Sequence, residues 1–246
     1  LSDRELGQMA LRSELLQATW NYERQQGIGW AWAIAPALER LYPDPVERRA
    51  RLAEHTGYFN TQPTLASVAL GAAAQLEERR AHGDDPDDGR IARVKSVLGS
   101  SLAAVGDRLF WFTLRPFAAC VGIALVLLGY AWGGLALWLT YNLVHQTVRF
   151  ASVRWGYEGG PAVASGPLKQ RLEGIVLLLG RAGALLVGIV MACLMVSRGE
   201  PQRLGFQLLL AAGLALGLIG AQRARPSPTE WAMVVGLLAL AVTWTH

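Results

Sequence analysis

Residues 117–148 contain no Asp, Glu, Lys or Arg. That is longer than the roughly 20 residues one untilted helix needs to cross a bilayer. Gly129 and the pair Gly133 and Gly134 divide the run, so it reads as one long broken helix or a tight pair of helices. A chain of 246 residues that is 52% hydrophobic and holds nine Trp carries more apolar material than one soluble core of this size uses. The fold class expected is an all-α membrane protein.

Charge and rare residues remove several alternatives. The formal net charge is +4, but the basic residues are dispersed among loops. No basic stripe with interleaved aromatics appears, so a nucleic-acid partner is not expected; membrane-flanking Arg explains the excess more simply. Cys120 and Cys193 each lie inside an apolar run and read as small core residues, not as a disulfide or a zinc site. His55, His82, His145 and His246 are scattered singly, with no metal-ligand spacing. No nucleophile with a base partner is visible, and Gly27-Ile28-Gly29 lacks the strand–turn–helix context of a dinucleotide site. No metal or cofactor is expected, and the charged, amphipathic residues 1–26 do not resemble a signal peptide.

Ser2 and Glu5 have capping-box spacing, and Leu6, Met9, Ala10, Leu15 and Leu16 follow at helical intervals, predicting an amphipathic helix over about residues 3–19. A polar cluster, residues 17–27, runs straight into the apolar residues 27–38, a segment too short to span a bilayer. Gly27, Gly29 and Pro36 permit a bend or a broken helix there. Asp44 as N-cap, Pro45 at the first helical position and Glu47 in the first turn start a helix running to about His55. Residues 57–63 form a second polar knot before the apolar stretch 64–76. Residues 77–95 return to water through an acidic, turn-rich loop.

Residues 96–116 place two short apolar limbs around Gly106-Asp107-Arg108, which suits a hairpin better than a straight span. With residues 20–40 this makes two interrupted or re-entrant elements, the sequence pointer to a transporter site. A basic connection with Arg149, Arg154, Lys169 and Arg171 follows the uncharged run. Apolar segments at 174–196, 204–221 and 231–245 complete the chain; the first two are long enough to span. Two regions are expected: 1–160, with amphipathic helices, polar hairpins and the first membrane segment, and 161–246, with C-terminal transmembrane helices.

Glu23, Arg24, Asp107, Arg108 and Arg115 lie within or beside apolar segments, where an unpaired charge costs at least about 2.5–3.5 kcal/mol at the bilayer centre. One reading is a structural network in which Glu23 and Asp107 neutralise Arg24 or Arg115. The other is sugar binding, with amides and a carboxylate matching hydroxyls and Trp20, Trp30 or Trp111 stacking on a pyranose face.

The succession of residues 15–27, Pro36-Ala37-Leu38, then His55 through Phe59-Asn60-Thr61-Gln62-Pro63, then Gly106-Asp107-Arg108-Leu109-Phe110-Trp111 resembles the IID membrane subunit of the mannose/fructose/sorbose family of bacterial phosphotransferase systems. The resemblance covers about residues 1–160. It implies a multi-pass subunit of the bacterial inner membrane, not catalytic alone. Such a subunit pairs with a IIC subunit, as an oligomer of IIC–IID pairs, to pass a hexose to the cytoplasm while IIA and IIB proteins phosphorylate it. On that reading Asn21, Glu23, Arg24, Asn60, Asp107 and Trp111 form the substrate site or its supporting polar network. The alternative is a non-transporting membrane receptor or regulatory scaffold with the same fold. The chain departs from the family pattern at Ser100 and Ser101, where Gly and Pro are usual, at Ala104 for Gly, at Arg108 for a small residue, and at Gln62 for His. Loss of Gly and Pro is expected to change the hairpin backbone, and Arg108 to fill or recharge the site.

Overall fold

The computed structural model describes residues 1–84, 89–164 and 166–196, and over these the fold is all-α. The acidic run 85–88 and the apolar segments 204–221 and 231–245 lie outside the described residues. Residues Leu1–Val190 form one compact unit.

Helix α1, Asp3–Arg12, starts as the sequence predicts, with Ser2 and Glu5 making a reciprocal capping box. It ends seven residues before the predicted position 19, followed by one tight turn, Ser13–Leu15. Two long-range contacts explain the early stop. Arg149 donates to the Ser13 carbonyl at 2.6 Å, and Gly29 lies so close to the Leu16 carbonyl that a Cβ there would meet it at 2.0 Å.

Helix α2, Gly27–Leu41, runs unbroken through Pro36, so the interruption expected in residues 20–40 does not occur within it. A proline inside a helix leaves the carbonyl four residues earlier without its N–H partner. Here that carbonyl belongs to Trp32, and the Arg12 guanidinium donates to it at 3.4 Å while lying 4.3 Å from the Trp32 ring centre. Helix α3, Pro45–His55, follows the sequence reading, with Asp44 accepting from the Val46 and Glu47 amides.

Helix α4, Ala66–Ala81, forms the centre of the unit. Its small residues let α7, Gly133–Gly159, approach very closely: a Cβ on Gly71 would meet the Val153 carbonyl at 1.9 Å, and one on Gly156 the Val68 carbonyl at 1.9 Å. Backbone contact of this kind is how membrane helices pack when apolar burial alone supplies little drive. Glu77 and Lys95, which sequence reasoning put in water, are both buried.

Helix α5, Arg90–Gly106, a π-helical stretch, Asp107–Leu114, and α6, Arg115–Leu127, form one continuous helix. The hairpin expected over residues 96–116 is therefore corrected. Ser100 and Ser101 turn their hydroxyls onto the Ser96 and Leu98 carbonyls of their own helix, a use of serine compatible with helical backbone. The local irregularity instead becomes a widened turn, with the Arg115 amide bonded to the Phe110 carbonyl. Pro116 follows, where a proline ring would crowd the Phe112 carbonyl of a regular α-helix; a π-bulge is one way to absorb it. Arg90–Leu127 is long and apolar enough to cross a bilayer, one such helix among the described residues.

The uncharged run resolves as a tight helical pair. Helix α6 ends at Leu127, Gly129 takes φ +91° in the turn, and α7 starts at Gly133. Gly122 and Gly133 face each other so closely that a Cβ on either would meet the other's carbonyl at 2.7 or 2.3 Å. The expected basic connection starts later than predicted: Arg149 and Arg154 lie on α7, and Arg149 is buried against the turn Ser13–Leu15, with its Nε 3.2 Å from Glu14. After a short turn, Gly160–Ala164, helix α8 covers Pro167–Val196.

Candidate functional site

The polar cluster folds as a closed loop. Asn21 accepts through Oδ1 from the amides of Glu23, at 3.1 Å, and Arg24, at 2.8 Å, and the Gln25 amide returns to the Asn21 carbonyl at 2.8 Å. Side-chain to backbone bonds of this type are why Asn favours turns. Gln25 closes the loop at φ +53°, a left-handed conformation uncommon outside glycine. Glu23 and Arg24 sit exposed at the tip, 3.7 Å apart. Such an exposed pair contributes about 0–1 kcal/mol.

This loop is sewn to the second polar knot. The Phe59 amide donates to the Arg24 carbonyl and the Gln26 amide to the Phe59 carbonyl, at 3.3 and 2.9 Å. The buried Gln26 side chain then pairs with the Thr61 backbone in both directions, Nε2 to carbonyl at 2.8 Å and amide to Oε1 at 3.0 Å. Thr61 Oγ1 continues to the Gly99 carbonyl on α5 at 2.8 Å. Gln62 turns inward and accepts through Oε1 from the Thr64 and Leu65 amides, satisfying donors at the start of α4.

The expected site residues divide into three places. Asn21, Glu23 and Arg24 share one loop, tied through the Phe59 backbone to exposed Asn60. Asp107, half-buried, follows Gly106, whose backbone packs on the Gln62 side chain. Trp111 lines a separate cavity of about 420 Å³ with Arg115, Trp138, Tyr141 and Asn142, and the Arg115 guanidinium lies 5.6 Å from its ring centre. Arg108 is exposed and fills no interior space. Trp30, one of three candidate stacking rings, is fully buried and cannot meet a sugar.

Trp30 belongs instead to a buried chain that sequence reasoning missed. Its indole N–H donates to His55 Nδ1 at 3.1 Å, His55 Nε2 meets Glu77 Oε1 at 2.9 Å, and the Tyr42 hydroxyl donates to Glu77 Oε2 at 2.7 Å. An indole nitrogen only donates, so His55 Nδ1 must be the acceptor and its proton resides on Nε2. Burial agrees, holding His55 below its ordinary value and therefore neutral. Glu77 also suffers burial, but the bonds from His55 and Tyr42 outweigh it and hold the carboxyl below its ordinary value. Burial, reinforced by Glu77, pushes the Tyr42 hydroxyl up. With both ring nitrogens engaged, His55 is no available nucleophile. The signal for this chain was faint: Glu77 continues an otherwise apolar helix face, and a carboxylate in that position requires a partner.

Beside this chain lies a cavity of about 620 Å³ between α3, residues 57–60 and α5, with Asn60 in its wall. The two polar knots and this cavity make one continuous polar region on a helix long enough to cross a bilayer.

The PTS system mannose/fructose/sorbose family IID component, designated EIID-AGA, matches residues 1–199. The chain belongs to this family. Among IID relatives, the mannose-specific EIID component of Escherichia coli is 38% identical over 183 residues, 72% of this chain and 65% of that protein. The sorbose-specific EIID component of Klebsiella pneumoniae is 37% identical over 179 residues, 72% of this chain and 65% of its own length. The matched part of these two relatives is thus short of two thirds of their length. The fructose permease IID component of Bacillus subtilis is 29% identical over 198 residues, 80% of this chain and 70% of that one. A cryo-EM structure of the mannose transporter ManYZ in complex with a microcin aligns over 99% of this chain and 96% of the other, with TM-score 0.62 and 28% identity. In this IID-family chain, Gln62 holds the N-terminus of α4 through its side-chain carbonyl oxygen.

Proposed function

We propose that this chain is the IID membrane subunit of a phosphoenolpyruvate-dependent sugar permease. It works with a IIC subunit to translocate a hexose of the mannose/fructose/sorbose class, while IIA and IIB proteins supply the phosphoryl group. The family match over residues 1–199 carries the reading. The polar region formed by residues 21–26, 57–62 and the start of the π-helical stretch supports it. Asn21 closes the turn that presents Glu23 and Arg24, and Asn60 and Asp107 offer an amide and a carboxylate for sugar hydroxyls. Trp111 offers a half-exposed ring from the neighbouring cavity. Catalysis of phosphoryl transfer resides in the partner proteins. On this reading the chain lies in the bacterial inner membrane with several passes, as part of an oligomer of IIC–IID pairs.

Radiolabelled hexose uptake in cells supplying the IIC, IIA and IIB partners tests the reading. Uptake is expected to depend on this chain, and Glu23→Gln or Asp107→Asn is expected to impair it while the complex still co-purifies. Uptake that is the same with and without the chain, for every hexose tried, overturns the transport reading in favour of a receptor or scaffold.

A further inference from the structure

The 620 Å³ cavity contains a buried ammonium that the sugar-site reading does not use. Its walls include Arg51, Arg80, Lys95 and Glu54. Glu54 is already engaged, by Arg51 at 3.0 Å and by Arg80 at 2.9 Å. His55, in the same wall, is neutral for the reasons given above.

Lys95 is the exceptional member. It is 7% exposed, yet among the described residues no carboxylate lies within ion-pair distance of it. Its Nζ donates to the His55 carbonyl at 3.2 Å and sits 5.0 Å from the Trp30 ring centre. An ammonium has three donors, so donor capacity remains for the cavity. Burying a charge without a counter-ion is costly. Arg51 stands in the same wall, its guanidinium shared between Glu54 at 3.0 Å and Glu47 at 3.8 Å. Ser96 and Ser100, both exposed, line the cavity with Lys95.

We propose that this cavity is an anion site for the phosphate group of a small phosphate monoester, with the Lys95 ammonium as its main charge, the Ser96 hydroxyl as a further donor and the Arg51 guanidinium in the surrounding wall. A phosphate has three terminal oxygens and matches donors arriving from several directions better than a planar carboxylate does. The cavity exceeds what a bare phosphate fills, and Tyr58 and Asn60 give its remaining wall polar groups suited to a hydroxylated carbon skeleton.

The test is equilibrium binding to the full chain in neutral detergent, with glucose 6-phosphate, inorganic phosphate, glucose and short-chain phosphatidate as probes. Glucose 6-phosphate is expected to bind and inorganic phosphate to compete with it, whereas glucose does neither. Lys95→Met is expected to weaken binding about tenfold or more, the loss that follows from removing one hydrogen bond to a charged group, while Lys95→Arg retains most of it. A role confined to holding the α3 C-terminus would alter melting but leave no phosphate site to lose. If Lys95→Met does not elute as folded protein, Ser100→Asp replaces it, because that exposed side chain puts a carboxylate into the cavity without disturbing the core. Absence of glucose 6-phosphate binding, or binding unchanged in both Lys95→Met and Ser100→Asp, overturns the proposal. Phosphatidate competing at far lower concentration than glucose 6-phosphate also overturns it, in favour of a lipid headgroup. The measurement uses this chain alone, so its failure and a failure of hexose uptake are separate results.

Discussion

Helix α4 and the first half of α7 are both rich in apolar residues, yet they use them in opposite ways. In α4, every residue from 66 to 77 except Gln75 is buried, and most are Ala, Gly or Ser. In α7, Leu135, Leu139 and Leu143 are exposed, along with Trp138. Small residues are inside and large ones outside, the reverse of a water-soluble protein. Close helix contact in a bilayer comes from small side chains and direct backbone approach, and bulky apolar side chains are left to face lipid or another subunit.

The sharpest way to break this contrast is at the α4–α7 crossing. Gly71→Val or Gly156→Val puts a branched side chain where even a Cβ would meet a carbonyl at 1.9 Å. The neighbour is backbone and cannot rotate away, so the two helices must separate, at more than the roughly 3 kcal/mol typical of overpacking. Loss of the monodisperse peak in detergent chromatography is the expected result. A stable, correctly assembled Gly156→Val protein would show that the helices are not in backbone contact.

The buried chain at Glu77 ranks next. Glu77→Ala deprives the His55 Nε2–H of its acceptor and leaves the Tyr42 hydroxyl only the residue-77 carbonyl, at 3.3 Å. With two bonds to a charged group lost, each worth about 1.5–3 kcal/mol, the expected destabilisation is about 3 kcal/mol or more in thermal melts. His55→Asn and Tyr42→Phe are expected to lose less, since each leaves Glu77 one of its two donors. Equal melting of Glu77→Ala and the parent chain would show that the chain of bonds is not formed.

Much of this architecture was legible beforehand, and its limits are physical. The caps of α1 and α3 are local chemistry and stand where the residues put them. The division of the uncharged run at Gly129 and Gly133 also follows from glycine in a tight turn. Pro36 and the Gly106-Asp107-Arg108 sequence misled because each was judged without its tertiary neighbours: Arg12 repairs the carbonyl that Pro36 orphans, and a π-bulge absorbs the second irregularity. The site was half legible. Turn chemistry brings Asn21, Glu23 and Arg24 together, but the pairing of Gln26 with Thr61 spans 35 residues and leaves no periodic trace. Burial of Glu77 and Lys95 is equally non-local. Near a polar loop, hydropathy assigns both to water.

The pH dependence of folding is a smaller effect with a definite sign. His55 is held below its ordinary value of 6.5, so the unfolded chain binds a proton there that the folded one refuses, and stability declines as pH falls below 6.5. Glu77 is held below its ordinary value of 4.5, so its contribution is complete above 4.5 and is lost as pH falls through the folded value. Both losses are on the acid side. Melting of the parent chain between pH 7 and pH 4 should fall in that order, and His55→Asn should flatten the upper part of the decline. A parent profile that is flat from pH 7 to pH 5 would mean that His55 is not buried as a neutral ring.

The smallest effect on stability is expected on the exposed face of α7, and there the comparison with α4 is most informative. Leu139 and Leu143 are 50% and 72% exposed and lie one turn apart. Replacing both with Ser removes little buried contact, so the isolated chain in detergent should melt within about 0.5 kcal/mol of the parent. The same substitution removes apolar surface from whatever covers this face in the bilayer. Membrane integration or co-purification with a IIC subunit should therefore fall steeply although stability does not. The two readouts thus move apart at Leu139 and Leu143 and together at Gly71, because one face packs within the chain and the other outside it. Unchanged membrane integration and co-purification in the double Ser variant would mean that this leucine face is covered by nothing that depends on it.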